Sequence, residues 1–222
     1  MKKVIFYLST LFILASCASS RFVEPLKKGE QVVALDVGGP TIEFGGAVIP
    51  IPLSSIVYAR GIDTNLTVFG SVHVTSLLFG NIQTDLGATY RFFESKKSFL
   101  PSLSTSVNGN AIYDMNDSKF KFWPQLDLNA YWNFGEKDHY VYAGVSNWWE
   151  LADVRSQERA QLDRWLVNPQ IGLVIKTNKW FYSLETKFLG PSHNNVNLFV
   201  PYFSLLGEKG ASAIYFGIGR KF

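Results

Sequence analysis

Residues 119–134 read KFKFWPQLDLNAYWNF, and this stretch decides the fold class. Its even positions, from Phe120 to Phe134, are all apolar, whereas its odd positions are mostly polar and include Lys121 and Asp127. An alternation with a period of two places the two sets on opposite faces of a β-strand. The pattern holds for about sixteen residues, whereas an ordinary strand has about 5–6. The sequence therefore predicts a long strand with one apolar and one polar face.

The same alternation recurs along the chain and predicts an all-β protein. We expect about ten strands, at 31–38, 54–62, 66–78, 81–93, 99–108, 119–134, 139–150, 164–177, 180–189 and 211–222. The connections 63–65, 94–98, 135–138 and 178–179 are short, whereas 39–53, 109–118, 151–163 and 190–210 are longer. Outer-membrane barrels have short periplasmic turns and longer outer loops. Two other counts stay open: a twelve-strand barrel that recruits 41–49 and 197–206, and an eight-strand barrel.

The two faces of these strands indicate a membrane protein. A soluble lipocalin-like barrel turns its apolar face inward, whereas a membrane barrel turns it towards lipid. The predicted strands are long enough to supply the ~9–11 residues that a tilted strand needs to cross a bilayer. Aromatic residues also gather near strand ends, as in Trp132, Trp148 and Trp180. We therefore predict an antiparallel transmembrane β-barrel.

The polar face supplies the candidate lumen residues. They are the ionisable groups Asp36, His73, Asp85, Arg91, Lys121, Asp127, Glu185 and Lys187. Their signs are mixed, and buried charges must pair or stay hydrated. Phe69, Trp123 and Tyr131 share this face, and a ten-strand barrel is near the size that side chains fill. The sequence therefore predicts a largely filled lumen braced by charged groups.

The N-terminus carries a sorting signal. Lys2 and Lys3 precede an apolar run at 4–14, and Leu14-Ala15-Ser16-Cys17 ends it. The run is shorter than the ~20 residues of a spanning helix and is typical of a signal peptide. The last four residues resemble the lipobox of bacterial lipoproteins, which implies cleavage before Cys17 and lipidation of its thiol. The predicted domains are a signal peptide at 1–16, a lipidated tether at 17–29 and the barrel at 30–222.

The C-terminal strand resembles that of outer-membrane β-barrel proteins of Gram-negative bacteria. Ile214, Phe216, Ile218 and the terminal Phe222 lie on one face, although Arg220 departs from the apolar pattern. The barrel-assembly machinery recognises such a strand by its terminal aromatic residue. The two resemblances imply an outer-membrane location with the lipid anchor on the periplasmic side. They also imply contacts with outer-membrane lipid, the barrel-assembly machinery and the lipoprotein-sorting machinery.

Composition narrows the function classes. The chain has 222 residues, of which 47% are hydrophobic and 18% charged, and its formal net charge is +3. Basic runs do not exceed two residues, so nucleic acid is not predicted as a partner. The single cysteine excludes an intramolecular disulfide and a Cys-rich metal site. Neither a metal site nor a cofactor is predicted.

Three functions fit such a barrel. We predict the first, a non-enzymatic binding or structural component with a filled lumen, whose outer loops are the expected place for a protein partner. The alternatives are a narrow porin-like channel for small polar solutes and a lipid-modifying enzyme. An enzyme needs a base, and His73 lies near Asp85 of the next predicted strand, whereas His139 and His193 fall at a turn and in a loop. Positions 193–196 lack the His-x-Ser-Asn pattern of lipid A deacylases, so no catalytic residue is assigned.

Overall fold

Ten strands form the wall of a closed barrel, and the computed structural model describes residues 19–97, 99–152, 164–195 and 200–222. The strands are β1 Gln31–Phe44, β2 Ala47–Pro50, β3 Leu53–Asp63, β4 Leu66–His73, β5 Asn81–Phe93, β6 Ser102–Asp114, β7 Lys119–Phe134, β8 His139–Trp149, β9 Trp165–Lys176, β10 Trp180–Asn194 and β11 Lys209–Lys221. Wall strands β1 and β3 to β11 pair antiparallel in chain order, and β11 pairs with β1 to close the ring. The short β2 pairs with the end of β1 outside that ring. The prediction of an all-β barrel of about ten strands is confirmed.

The wall has an apolar outer face and a polar inner face. On β7, Leu128 is 49% exposed, whereas its neighbours Asp127 and Asn129 are buried. Large apolar side chains cover the outside, among them Leu35, Ile56, Val72, Leu86, Val107, Val141, Ile171, Leu184 and Phe216. Polar side chains line the inside, among them Ser55, Gln83, Asp85, Ser106, Gln125, Asn168, Glu185 and Lys187. An outer surface of this kind contacts lipid, so the transmembrane β-barrel is confirmed and the lipocalin-like alternative is wrong.

The two ends of the barrel differ in their connections. The turn end carries the short connections at 64–65, 94–101, 135–138 and 177–179. The loop end carries β2, the residues between β4 and β5, a short connection at 115–118, and longer ones at 150–164 and 195–208. The twelve-strand count is wrong, because β2 lies outside the ring and residues 200–206 contribute an isolated bridge between Tyr202 and Ile42. The eight-strand count is wrong as well.

Strand β4 ends earlier than the sequence predicts. The strand expected at 66–78 stops at His73, and helix α1, Val74–Leu78, turns the chain across the loop end. Side chains hold this turn: Ser76 Oγ donates to Gln83 Oε1 at 2.6 Å. No helix in the described part of the chain is both long and apolar enough to cross a membrane.

Strand β6 ends later than predicted, at Asp114 rather than 108. Asn108 and Asn110 are buried on the lumen side, and between them Gly109 leaves room for the ring of Phe122 on the neighbouring strand. The polar and glycine residues that suggested a loop are therefore part of the wall. Trp148 also departs from its expected place near the membrane interface, because it is buried inside the barrel.

The first described residues lie inside the barrel. Phe22 and Leu26 pack against inward apolar side chains of β1, β3 and β4, including Phe69. Val23 packs on the opposite side against a group that contains Tyr131 and Tyr142. From Ser19 onwards, the segment expected to be a tether is therefore part of the core. We call residues 19–29 the plug.

Candidate functional site: the plugged lumen

The plug is joined to the wall through its backbone at the turn end. The Leu26 amide donates to Thr67 Oγ1 at 2.7 Å, and Ser104 Oγ donates to the Val23 carbonyl oxygen at 2.6 Å. The Gly29 amide donates to the Gly61 carbonyl oxygen at 2.9 Å. A Cβ added at Gly61 would lie 2.1 Å from the carbonyl oxygen of Lys27 in the plug. Glycine is therefore needed at this position for the plug to approach β3.

Arg21 holds the middle of the plug to four wall strands, β1, β3, β4 and β5. Its Nη1 donates to Asp36 Oδ2 at 2.7 Å and to Ser55 Oγ at 3.0 Å. Its Nη2 donates to Asp85 Oδ2 at 2.5 Å and to Ser71 Oγ at 2.9 Å. The Arg21 side chain is 2% exposed, so these bonds replace its hydration. The planar guanidinium suits such a set, because it offers five donors in a fixed geometry.

His73 joins the same group without forming a nucleophile–base pair. Its Nε2 lies 3.1 Å from Asp85 Oδ2, which is the proximity expected from the sequence, and 3.5 Å from Nη2 of Arg21. The Ser71 hydroxyl donates to Asp85 rather than to His73. A serine nucleophile needs its base within hydrogen-bond reach of the hydroxyl. Arg21, Asp36, Ser71, His73 and Asp85 therefore form a charge-pairing group between the plug and the wall, which we call the Arg21 group.

A second charged group surrounds Glu185 on β10. The amide of Ser20 donates to both carboxylate oxygens of Glu185, at 3.0 and 3.1 Å, and Tyr142 Oη donates to Oε2 at 2.6 Å. Lys187 Nζ lies 3.5 Å from Glu185 Oε1 and also attracts the buried carboxylate of Asp127. The backbone of the plug therefore supplies a donor that this carboxylate would otherwise take from water.

Ion pairs complete the contacts at the turn end. Lys176 of β9 pairs with Glu24 of the plug, and Asn133 Nδ2 donates to Glu24 Oε1 at 3.0 Å. Lys221 Nζ lies 3.3 Å from Glu30 Oε1 where the plug meets β1. The plug is thus attached at its middle through Arg21 and at its base through Glu24, Leu26 and Gly29.

Side chains fill the lumen beyond the plug. Trp148 and Tyr215 are buried and pack with Leu166 and Leu189, and Trp123 is 4% exposed. Beside the plug, a cavity of about 40 Å³ is lined by residues that include Phe22, Tyr142, Val174, Lys176 and Phe181. A space of this size holds one or a few water molecules. Side chains of the described residues therefore pack on both sides of the Arg21 group.

The predicted lumen residues fall into two sets. Asp36, His73, Asp85, Asp127, Glu185 and Lys187 belong to the two charged groups. Arg91 instead lies near the turn end, where its Nη2 donates to Asn65 Oδ1 at 2.7 Å. Lys121 lies near the loop end and pairs with Glu150 at 2.5 Å. Ser20 and Arg21 of the plug and Tyr142 of the wall, which also bind this first set, were not predicted from the sequence.

The other predicted residues lie apart from this site. Phe216, Ile218 and Phe222 are exposed on the outer face of the last strand and just beyond it, and Ile214 shares that face. His139 Nδ1 accepts a hydrogen bond from the Lys176 amide, and His193 Nδ1 lies 3.1 Å from Ser192 Oγ on the loop side. Among the described residues, no three His, Cys, Asp or Glu side chains come together as a metal site. Cys17 lies outside the described residues.

The fold and the site define a class: a transmembrane β-barrel whose lumen is occupied by its own N-terminal segment. The chain matches no protein-family model and no curated protein. Among solved structures, it is similar to an outer membrane channel from Pseudomonas putida F1, with 12% identity over 93% of this chain and 100% of that chain and a TM-score of 0.49. It is also similar to the translocator domain of autotransporter NalP from Neisseria meningitidis, with 11% identity over 90% and 91% of the chains and a TM-score of 0.46. At these identities the likeness concerns the fold alone, and the class assignment rests on the strand pairing and the two faces of the wall.

Proposed function

We propose that this chain is a non-enzymatic outer-membrane barrel with a closed lumen, and that it acts as a binding or structural component of the membrane. The observation that carries the proposal is the Arg21 group, in which one buried guanidinium bonds to side chains of β1, β3, β4 and β5. A barrel that conducts solutes needs a continuous wet path. Here the plug, the charged groups and the aromatic side chains beyond them take up the interior.

The proposed orientation places the turn end in the periplasm. Short periplasmic turns and longer outer loops are the rule for outer-membrane barrels. The loop end also carries apolar side chains that project from the hairpin of β1 and β2, such as Phe44, which is 70% exposed. This surface supports a role for the loop end in contacting a partner outside the membrane.

We also propose that Cys17 carries a lipid, and this lipid competes with the plug for the same segment. Glu185, which holds Ser20, is five residues beyond Trp180, the first residue of β10. At ~3.3 Å per residue and a strand tilt of ~40°, it lies roughly 12 Å from the turn end. Cys17 is three peptide units from Ser20, a reach of about 11 Å when the chain is extended. An acyl chain at Cys17 therefore reaches the leaflet at the turn end only if residues 17–20 extend towards that end, so the anchor and the bond from Ser20 to Glu185 constrain the same short segment.

This competition favours one second function, a narrow channel that opens when the lipid draws the plug out. Removal of Arg21 and Ser20 would leave the carboxylates of Asp85 and Glu185 facing a wet lumen. Solutes would then pass polar walls, as in porins. The third function, a lipid-modifying enzyme, has no comparable support from the geometry of His73.

Conductance in planar bilayers separates the two functions. The full folded protein is compared with its Cys17→Ala variant, and heat-modifiable gel migration serves as the folding control for both. A closed binding or structural barrel predicts that both proteins are silent. Stable unitary steps from the lipidated protein alone, which change on Asp127→Asn, would overturn that proposal and support the channel.

A further inference from the structure

One sector of the turn end carries a cluster of cations, which we call the basic rim. It consists of Lys27, Lys28, Arg60, Lys179 and Arg220. They surround the turn-end edges of β10, β11, β1 and β3. Among the described residues, no side-chain nitrogen of these five lies within 4.0 Å of a carboxylate oxygen.

The acidic groups of this sector do not neutralise the rim. Glu30 and Asp63 are the acidic residues near these strand ends, and Glu30 is already paired with Lys221. The connection after β5 is also positive, because Arg91, Lys96 and Lys97 exceed the single carboxylate of Glu94, whereas the turn at 135–138 carries Glu136, Lys137 and Asp138. The basic rim is therefore the more strongly positive of two basic sectors at the turn end.

Two arginines of the rim point to the outer face of the wall. Arg60 follows the exposed series of Ile56 and Tyr58 on β3, and Arg220 is exposed beyond Ile218 on β11. The guanidinium of Arg220 lies 5.7 Å from the ring centre of Trp180. Arginine beside an aromatic ring at this level is typical of the membrane interface.

The two arginines flank a single strand. Arg60 is opposite Gln31 of β1, and Arg220 is opposite Val33 of the same strand. Two strand spacings and an offset of two residues along β1 separate their backbones by about 12 Å, a distance that two flexible arginine side chains bridge from either side. Tyr58 Oη donates to Gln31 Oε1 at 2.8 Å between them, which leaves the Gln31 amide nitrogen as a further donor. The site presents two guanidinium groups and an amide towards the headgroup region.

An apolar track leads from the arginines towards the middle of the membrane. Val33 and Leu35 of β1 are 44% and 43% exposed. Leu35 is bordered by Ile56 on β3 and by Ile218 on β11, which are 51% and 37% exposed. This exposed apolar surface suits an acyl chain that lies along β1. A phospholipid carries both a phosphate, which suits the rim, and an acyl chain, which suits this track.

We propose that this surface binds one anionic glycerophospholipid, with its phosphate between Arg60 and Arg220 and an acyl chain along Val33 and Leu35. The uncompensated lysines of the rim repel the ammonium group of a zwitterionic headgroup, so anionic headgroups are selected. The site itself depends on the barrel fold. Only its assignment to the periplasmic leaflet rests on the orientation proposed above.

Native mass spectrometry of the full folded protein tests this site with phosphatidylglycerol and phosphatidylcholine as probes. The test variant is Arg60→Gln/Arg220→Gln. The control is Lys96→Gln/Lys97→Gln, which removes the same charge from another sector of the turn end. A basic residue at a membrane surface contributes about fivefold to the binding of an anionic lipid. We therefore expect the test variant to lose on the order of twentyfold in affinity for phosphatidylglycerol and the control to change less than about twofold.

Two results would overturn the proposal. One is an equal loss in the test and control variants, because the rim would then act only through general charge. The other is displacement of phosphatidylglycerol by an equimolar amount of purified lipid A, because the site would then belong to lipid A. Heat-modifiable migration confirms that each variant is folded before its binding is compared. Conductance plays no part in this measurement, so a failure of the site is distinct from a failure of the closed-lumen proposal.

Discussion

Replacement of Arg21 by methionine removes the charge that the plug supplies to the lumen. Methionine keeps a similar chain length but loses every donor of the guanidinium. Asp85, which is 4% exposed, then keeps only the bonds from Ser71 and His73. Asp36 loses its ion partner as well. The substitution therefore leaves two carboxylates in a poorly hydrated space.

The cost follows from the burial of these partners. Breaking a buried ion pair by removing one member destabilises a protein by about 3–5 kcal/mol. The Asp36 side chain retains 14% exposure, and water admitted beside the plug compensates part of the loss. We therefore expect Arg21→Met to lower the free energy of unfolding by about 3 kcal/mol. Arg21→Lys keeps the charge but not the fork of donors, and we expect a loss of about 1–2 kcal/mol.

Urea unfolding in lipid vesicles, followed by tryptophan fluorescence, measures both variants. Asp36→Asn/Asp85→Asn is the matched partner, because neutral amides no longer need the cation. The triple variant combines Arg21→Met with Asp36→Asn and Asp85→Asn. We expect it to be more stable than Arg21→Met alone, with a coupling free energy of about 1–3 kcal/mol. Our reasoning is refuted if Arg21→Met unfolds within about 0.5 kcal/mol of the wild type and shows no coupling to the aspartates.

Three further predictions concern the plug, the wall and the anchor. Gly61→Ala brings a Cβ to 2.1 Å from the Lys27 carbonyl oxygen, and we expect the free energy of unfolding in urea to fall by about 1–3 kcal/mol. Gly70→Ala, with its nearest contacts at 3.4 Å, is the control. Equal losses in the two variants would contradict the close approach of the plug to β3. Leu128→Arg places a charge on the outer face and is expected to cost about 2–4 kcal/mol in vesicles; a cost near zero would mean that this face does not meet lipid. Intact-mass analysis should find a diacylglyceryl adduct that disappears in Cys17→Ala, and an unmodified wild-type chain would exclude the anchor.

The wall was predictable from the sequence because each of its strands carries its own signal. The alternation in β7 identifies both faces from Lys119 to Phe134 without knowledge of any other strand. The limits of β6 were less clear, since Gly109 and its flanking asparagines resemble a loop until the ring of Phe122 is placed beside them. Strand identity is thus a local property, whereas strand ends depend on neighbours.

The plug could not be predicted in the same way, because residues 19–29 have no period. Their burial depends on inward side chains that come from nine different strands, β1 and β3 to β10. One signal was nevertheless present. The mid-lumen candidates Asp36, Asp85, Asp127 and Glu185 outnumber the single cation Lys187 there, so a cation from another segment was required. Arg21 next to the apolar Phe22 and Val23 has the composition of a buried segment rather than a free tether.

The central claim is that the plug occupies the lumen, and the accessibility of Val23 tests it most directly. Val23→Cys and Lys28→Cys are each made in a Cys17→Ser background, so that the folded protein carries one thiol. Val23 is 2% exposed beside Tyr131 and Tyr142, whereas Lys28 is exposed at the turn end. We predict that a membrane-impermeant maleimide labels Val23→Cys at least about a hundredfold more slowly than Lys28→Cys, because it must wait for the plug to open. Equal labelling rates would contradict the account.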